Sequence, residues 1–203
     1  PDIIAVPAVW CGHAGTLDPD ATGVLLVGVG YVTRLMQFLS GMDKTYEAEV
    51  VFGIETNTLD SAGEVTARHD MTGITIEQVR LAAANLTGDI LQIPPMVSAL
   101  RVDGVRLHQL AREGIEVERQ PRPITVYSYD VEPTDDPMVI RATVRCGGGT
   151  YIRSLGADLG TALGGGALFD AGGYPIKLAA LLLGTIQKLD AITHLSKSLG
   201  IDL

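Results

Sequence analysis

The chain has little of three things, and each shortage excludes a class of function. Two cysteines among 203 residues, Cys11 and Cys146, are too few for a disulfide scaffold. They show no repeated C-x-x-C spacing, and Cys11 with His13 falls short of the four ligands zinc takes. Reduced thiols in a cytoplasmic protein, with no metal and no cofactor, are the expectation. Long hydrophobic runs are missing too: the apolar stretches near residues 24–32 and 178–183 fall well short of the ~20 residues that cross a bilayer. No signal-peptide pattern is visible, so no membrane partner is expected. Basic residues are the third shortage, 15 Lys and Arg against 24 Asp and Glu, for a net charge of −9. Phosphate contact draws on basic surface, and the arginines that could supply it, Arg101, Arg106, Arg112, Arg119 and Arg122, recur in the middle third.

What is present is enough apolar residue, 46%, for one well-buried domain over residues 1–203. The apolar run 24–29 reads as a buried strand. Val32, Leu35, Met36 and Leu39, at i, i+3, i+4 and i+7, predict an amphipathic helix over 31–40 that ends at Gly41 and lays its apolar side on the sheet. Tyr46, Ala48, Val50 and Phe52 alternate with polar neighbours, the period of a strand with one buried face. Thr75 and Gln78 form a capping box ahead of a stripe of Val79, Ala82, Ala83 and Leu86. Residues 124–132 and 139–146 read as two strands around a turn at 134–137. Between these parts, residues 93–120 form an insertion with a turn at Asp103-Gly104, a short helix carrying Leu107, Leu110 and Ala111, and a stop at Gly114. The glycines at 147–149 are not followed by the Lys-Ser/Thr pair of a phosphate loop. Ile152, Leu155, Leu159 and Leu163 make a last helical stripe, with Tyr151 and Arg153 at its start. A cation in the first turn opposes the helix dipole, so Arg153 is expected to have a specific anionic partner.

One stretch fits no helix or strand: Gly12-His13-Ala14-Gly15-Thr16-Leu17-Asp18-Pro19-Asp20-Ala21-Thr22-Gly23. Pro19 fixes its own φ and keeps Asp18 out of the α region, so Asp18 occupies a defined turn. Read by itself, Asp18 either caps that turn or is a carboxylate presented on a loop for chemistry.

This run, through Gly30, resembles the signature of the TruB family of tRNA pseudouridine synthases. The resemblance continues through Asp43-Lys44-Thr45-Tyr46, residues 92–100, residues 122–126 and Gly149-Thr150-Tyr151-Ile152-Arg153. It implies an α+β pseudouridine-synthase fold: a mixed, mostly antiparallel sheet flanked by helices, with residues 93–120 as a thumb-like insertion. The implied activity is isomerisation of uridine 55 in the T loop of tRNA, without a cofactor. It implies Asp18 as the essential catalytic residue, Arg153 as its ion-pair partner and Tyr46 as the ring that stacks on the target base. Tyr151 would close the other side of the pocket, His13 would enter the RNA loop, and Gly15, Thr16 and Leu17 would belong to the substrate-binding loop. The partner implied is the T stem-loop of tRNA, met by a monomer with no guide RNA and no DNA.

The chain departs from the family pattern in three places. The Lys-Pro-x-Gly-x-Thr-Ser segment is not found ahead of Gly12. Gly172-Gly173-Tyr174 stand where the family carries Leu-Arg-Arg, which removes one apolar side chain and two positive charges. The extra C-terminal RNA-binding domain of many relatives is not expected. These departures and the acidic balance support an alternative, a non-catalytic RNA-binding or RNA-folding module that keeps the fold.

Overall fold

The computed structural model describes residues 11–14, 23 and 25–170. A small antiparallel hairpin comes first, β1 (Cys11–His13) and β2 (Val27–Val29), with His13 opposite Val27. A 3-10 helix (Gly30–Leu35) runs into a short α1 (Met36–Ser40). The main sheet opens with β3 (Lys44–Phe52), and β4 (Ile54–Thr56) and β5 (Val65–Arg68) form a second hairpin beside it. Next come α2 (Ile76–Asn85), β6 (Gly88–Gln92), the two-residue strands β7 (Arg101–Val102) and β8 (Val105–Arg106), and α3 (Leu107–Arg112). The long hairpin β9 (Arg122–Pro133) and β10 (Val139–Cys146) is followed by α4 (Ile152–Ala162) and β11 (Ala167–Asp170).

Five strands form one antiparallel sheet in the order β11-β3-β10-β9-β6. Alternation dictates its two faces. Ala48, Val50 and Phe52 of β3, Ile140, Ala142, Val144 and Cys146 of β10, and Val126, Tyr129 and Val131 of β9 form one buried cluster with Val79, Ala82 and Ala83 of α2 and Ile152, Leu155 and Leu159 of α4. The intervening Glu47, Glu49, Asp130, Glu132 and Arg141 are not buried. Val126 and Tyr129 both face the core although three residues apart, because the pairing shifts there: Arg145 lies opposite Ser128, and Cys146 opposite Val126. One extra residue in β9 resets the alternation, as a bulge does.

Local chemistry explains the ends of these elements. The Thr75 hydroxyl accepts from Gln78 N while the Gln78 side chain accepts from Thr75 N, the capping box read from the sequence. Asp103 (φ 50) and Gly104 (φ 84) form the tight turn of β7–β8, as their positive φ pair requires.

Two sequence expectations are corrected here. The run 24–29 is not a buried strand: β2 covers Val27–Val29 and buries Gly28 alone. The helix expected over 31–40 is split into 3-10 and α turns, has no side-chain cap and buries no residue, with Tyr31 88% and Phe38 61% exposed. It packs on the β1–β2 hairpin, where Met36 lies against Gly28, and not on the five-stranded sheet. The period was right, but the partner surface is a two-stranded hairpin too small to cover an apolar stripe. Among the described residues, no helix is long and apolar enough to cross a membrane.

Candidate active site

The site is built around the first turn of α4. Gly156 and Gly160 let α4 approach β11 closely: a Cβ on Gly160 would lie 2.3 Å from Ala167 N, and one on Gly156 3.2 Å from the Phe169 ring. This contact aims the start of α4 at the end of the sheet where β3 begins, and there Arg153 leaves the helix. Its side chain is only 12% exposed. Nη1 donates to Asp60 Oδ2 at 3.1 Å and to Thr58 O at 2.8 Å, and Nη2 donates to Val97 O at 3.1 Å. A guanidinium this far from water needs a counter-charge, and Asp60 supplies one.

Asp60 sits in the loop that joins β4 to β5, and the loop is tied down from several sides. Asp60 Oδ1 accepts from Thr58 Oγ1 at 2.5 Å and from Ala62 N at 3.2 Å, while Asp60 O accepts from Thr56 Oγ1 at 2.7 Å. Leu59 adopts φ 64, a left-handed conformation that disfavours a leucine by roughly 1–2 kcal/mol. Its carbonyl accepts from Phe169 N at 3.1 Å, which secures the strained turn to β11.

The segment entering the thumb is held from the same side. Gln92, 1% exposed at the end of β6, donates from Nε2 to Tyr151 O at 3.0 Å and accepts at Oε1 from Tyr151 N at 2.8 Å. Ser154 Oγ donates to Ile93 O at 3.3 Å, and Arg119 Nη1, from the far side of the thumb, donates to Pro94 O at 3.1 Å. Val97 O on Arg153 completes a run in which the thumb's entry is bonded at Gln92, Ile93, Pro94 and Val97. The carboxamide clamp also places Tyr151 at the N-cap of α4, half-buried.

Tyr46, near the start of β3, lies opposite Val144 on the helix-covered face and packs, partly buried, against the core. Tyr46, Tyr151 and Arg153 thus belong to one end of the sheet. His13 is exposed on β1, with Ala14 N bonded to Leu26 O at 3.0 Å. Asp18, Gly15, Thr16 and Leu17, and the Gly172-Gly173-Tyr174 departure, lie outside the described residues. Distinct from Asp18, the partner the resemblance implies, Asp60 is an anionic partner of Arg153 that the sequence reading did not single out. Its signal was the polar turn Thr56-Asn57-Thr58-Leu59-Asp60, but nothing in that turn points to a cation 93 residues away. Gln92 was quoted within a motif without a role; a glutamine bounding a strand gives no sign that its amide will cap a distant helix.

Burial pushes the Cys146 thiol up to about 11, so it stays protonated at neutral pH. Among the described residues, no group of three or more His, Cys, Asp or Glu is placed to hold a metal ion.

A family model described as TruB family pseudouridylate synthase (N terminal domain) matches residues 6–152. The chain is 51% identical over 156 residues to a tRNA pseudouridine synthase B of Dehalococcoides mccartyi, a match covering 77% of this chain and 52% of that protein. It is 42% identical over 197 residues to the protein of the same name in Rhodococcus jostii, covering 95% and 63%. The chain spans about half the length of several of the curated relatives it matches. Among solved structures, a chain of a Cbf5-Nop10-Gar1 complex superposes with a TM-score of 0.57 at 27% identity, covering 83% of this chain and 39% of that one.

Proposed function

We propose, from the premise that this chain belongs to the TruB pseudouridylate synthase family, that it isomerises uridine to pseudouridine in the T loop of tRNA. The observation that supports this most is the partly buried Arg153 guanidinium, fixed by one carboxylate and two carbonyls at the start of α4. A group held so rigidly serves to orient something, and the family resemblance assigns it Asp18.

The reaction breaks the N1–C1′ bond of uridine, turns the base and joins C5 to C1′. The proton on C5 is lost and N1 regains one, so composition and oxidation state are unchanged and no cofactor is required. Positive charge develops on the sugar as N1 departs. An ionised Asp18 stabilises that charge or attacks the sugar as a nucleophile, as carboxylates do in glycoside cleavage. A guanidinium beside it favours the ionised form and holds it in position. The target base is out of reach while stacked, so it is flipped against Tyr46 with Tyr151 on its other side. Gly15, Thr16 and Leu17 belong to the loop that receives it, and His13 enters the space left in the RNA. In this reading residues 1–203 act as one catalytic domain, a cytoplasmic monomer that works without guide RNA.

The test is incubation with an unmodified tRNA transcript, with pseudouridine mapped by chemical primer-extension stops. A stop at the T-loop uridine that disappears with Asp18→Asn supports the reading. Wild-type protein that binds the transcript without product refutes it and leaves an RNA-binding module.

A further inference from the structure

Five arginines recur over residues 101–122, and the structure gives each a different setting. Arg119 is half-buried and bonded to Pro94 O, with Glu116 3.6 Å away. Arg112 lies in the last turn of α3, where a cation complements the helix dipole. Arg122 begins β9 opposite Gln92. Arg101 and Arg106 differ in one respect: they are direct cross-strand partners in β7–β8, both exposed; like those of Arg112 and Arg122, their side chains make no hydrogen bond or ion pair among the described residues.

This register is not loose. The Asp103-Gly104 turn fixes Val102 opposite Val105, and Leu107 N donates to Leu100 O at 2.7 Å on the other side of the arginine pair. Directly opposed residues of an antiparallel pair share a face, so Arg101 and Arg106 leave the hairpin on the same side, while Leu107, 1% exposed, begins α3 in the interior. Their Cβ atoms are then roughly 5 Å apart. Like charges directly opposite disfavour a hairpin, and Arg106 also stands at the positive end of α3. Among the described residues no acid pairs with either arginine, and Asp103 at the turn carries one negative charge without pairing to either.

We propose that Arg101 and Arg106 together grip a single phosphodiester of the RNA backbone. A phosphodiester presents two unshared oxygens and one negative charge, and two guanidinium forks side by side match it where one would leave an oxygen unbonded. The inference rests on the reading that the substrate is RNA, and it names the part of this acidic chain that receives the backbone.

The experiment measures binding of an unmodified tRNA transcript to wild type, R101Q, R106Q and the double variant across a range of salt concentrations, with single-turnover pseudouridine formation and thermal melting alongside. Each single variant is expected to bind about tenfold more weakly, to melt no lower than wild type, and to keep the wild-type rate at saturating RNA. Because one phosphate is shared, the double variant should lose less than the product of the two single losses, and its salt slope should fall by about 0.7–0.9, one phosphate's worth. Wild-type affinity in the double variant overturns the inference, and so do additive losses with a slope change twice that size. If the wild type binds and the arginine pattern holds but no pseudouridine forms, the proposed activity fails while this contact stands.

Discussion

Arg153 serves its site through shape as much as through charge. Its fork is spread over Asp60, Thr58 and Val97, and a lysine ammonium cannot reproduce that spread. Arg153→Lys should lower single-turnover pseudouridine formation by about ten- to a hundredfold, the loss expected for charge-assisted bonds, and unchanged turnover would deny Arg153 an orienting role. Asp60→Asn keeps the shape but removes the counter-charge from a mostly buried guanidinium. It should destabilise the fold by about 1–3 kcal/mol, read as a lower urea midpoint at constant slope. The need for an anion beside Arg153 was legible in the sequence, because a cation in a first helical turn calls for one. The family resemblance named Asp18 for that place and gave no sign of Asp60, which reaches Arg153 only after β4 and β11 bring their loops together.

At the scale of elements, the contact between α4 and β11 aims the site. On an exposed helix, Gly→Ala stabilises by up to about 1 kcal/mol through propensity. At Gly160 the opposite sign is expected, since a Cβ would meet the Ala167 backbone nitrogen at 2.3 Å. Gly160→Ala should therefore destabilise by about 1–3 kcal/mol and depress activity by tilting Arg153; a raised melting temperature would show that α4 has room to shift. Elements with a strong period of their own, β3, α2, β9, β10 and α4, were legible in the sequence. β11 was not, because four residues after three glycines carry too little pattern to announce a strand, and it exists by pairing with β3. The 3-10 and α1 turns were misjudged for the converse reason: a clean apolar stripe says nothing about the size of the surface that receives it.

At the scale of the whole molecule, one partly buried carboxyl ties stability to pH. Burial raises the Asp158 carboxyl to about 6, and both burial and the negative charge of Asp158 raise the nearby Tyr129 hydroxyl, which has no hydrogen-bond partner among the described residues. The folded value lies above the unfolded one, so the folded state binds this proton more tightly. The resulting stability is present below about pH 4 and is lost as pH rises through 6. Asp158→Asn, which cannot ionise, should exceed wild type by about 1–2 kcal/mol above pH 7, allowing for partial exposure, with the gap closing below pH 4. Urea unfolding of both proteins at the two pH values decides it, and a gap independent of pH would rule out titration of Asp158 as the cause. The sequence by itself determined the strands and helices with their own period, the turn at Asp103-Gly104, the family, and the need of Arg153 for an anion, because each is written in neighbouring residues. The tertiary structure alone decided that Asp60 pairs with Arg153, that Gln92 clamps Tyr151, and that Arg101 and Arg106 stand side by side. Those are relations between segments far apart in the chain, and only the sheet's register and the packing of α4 bring them within bonding distance.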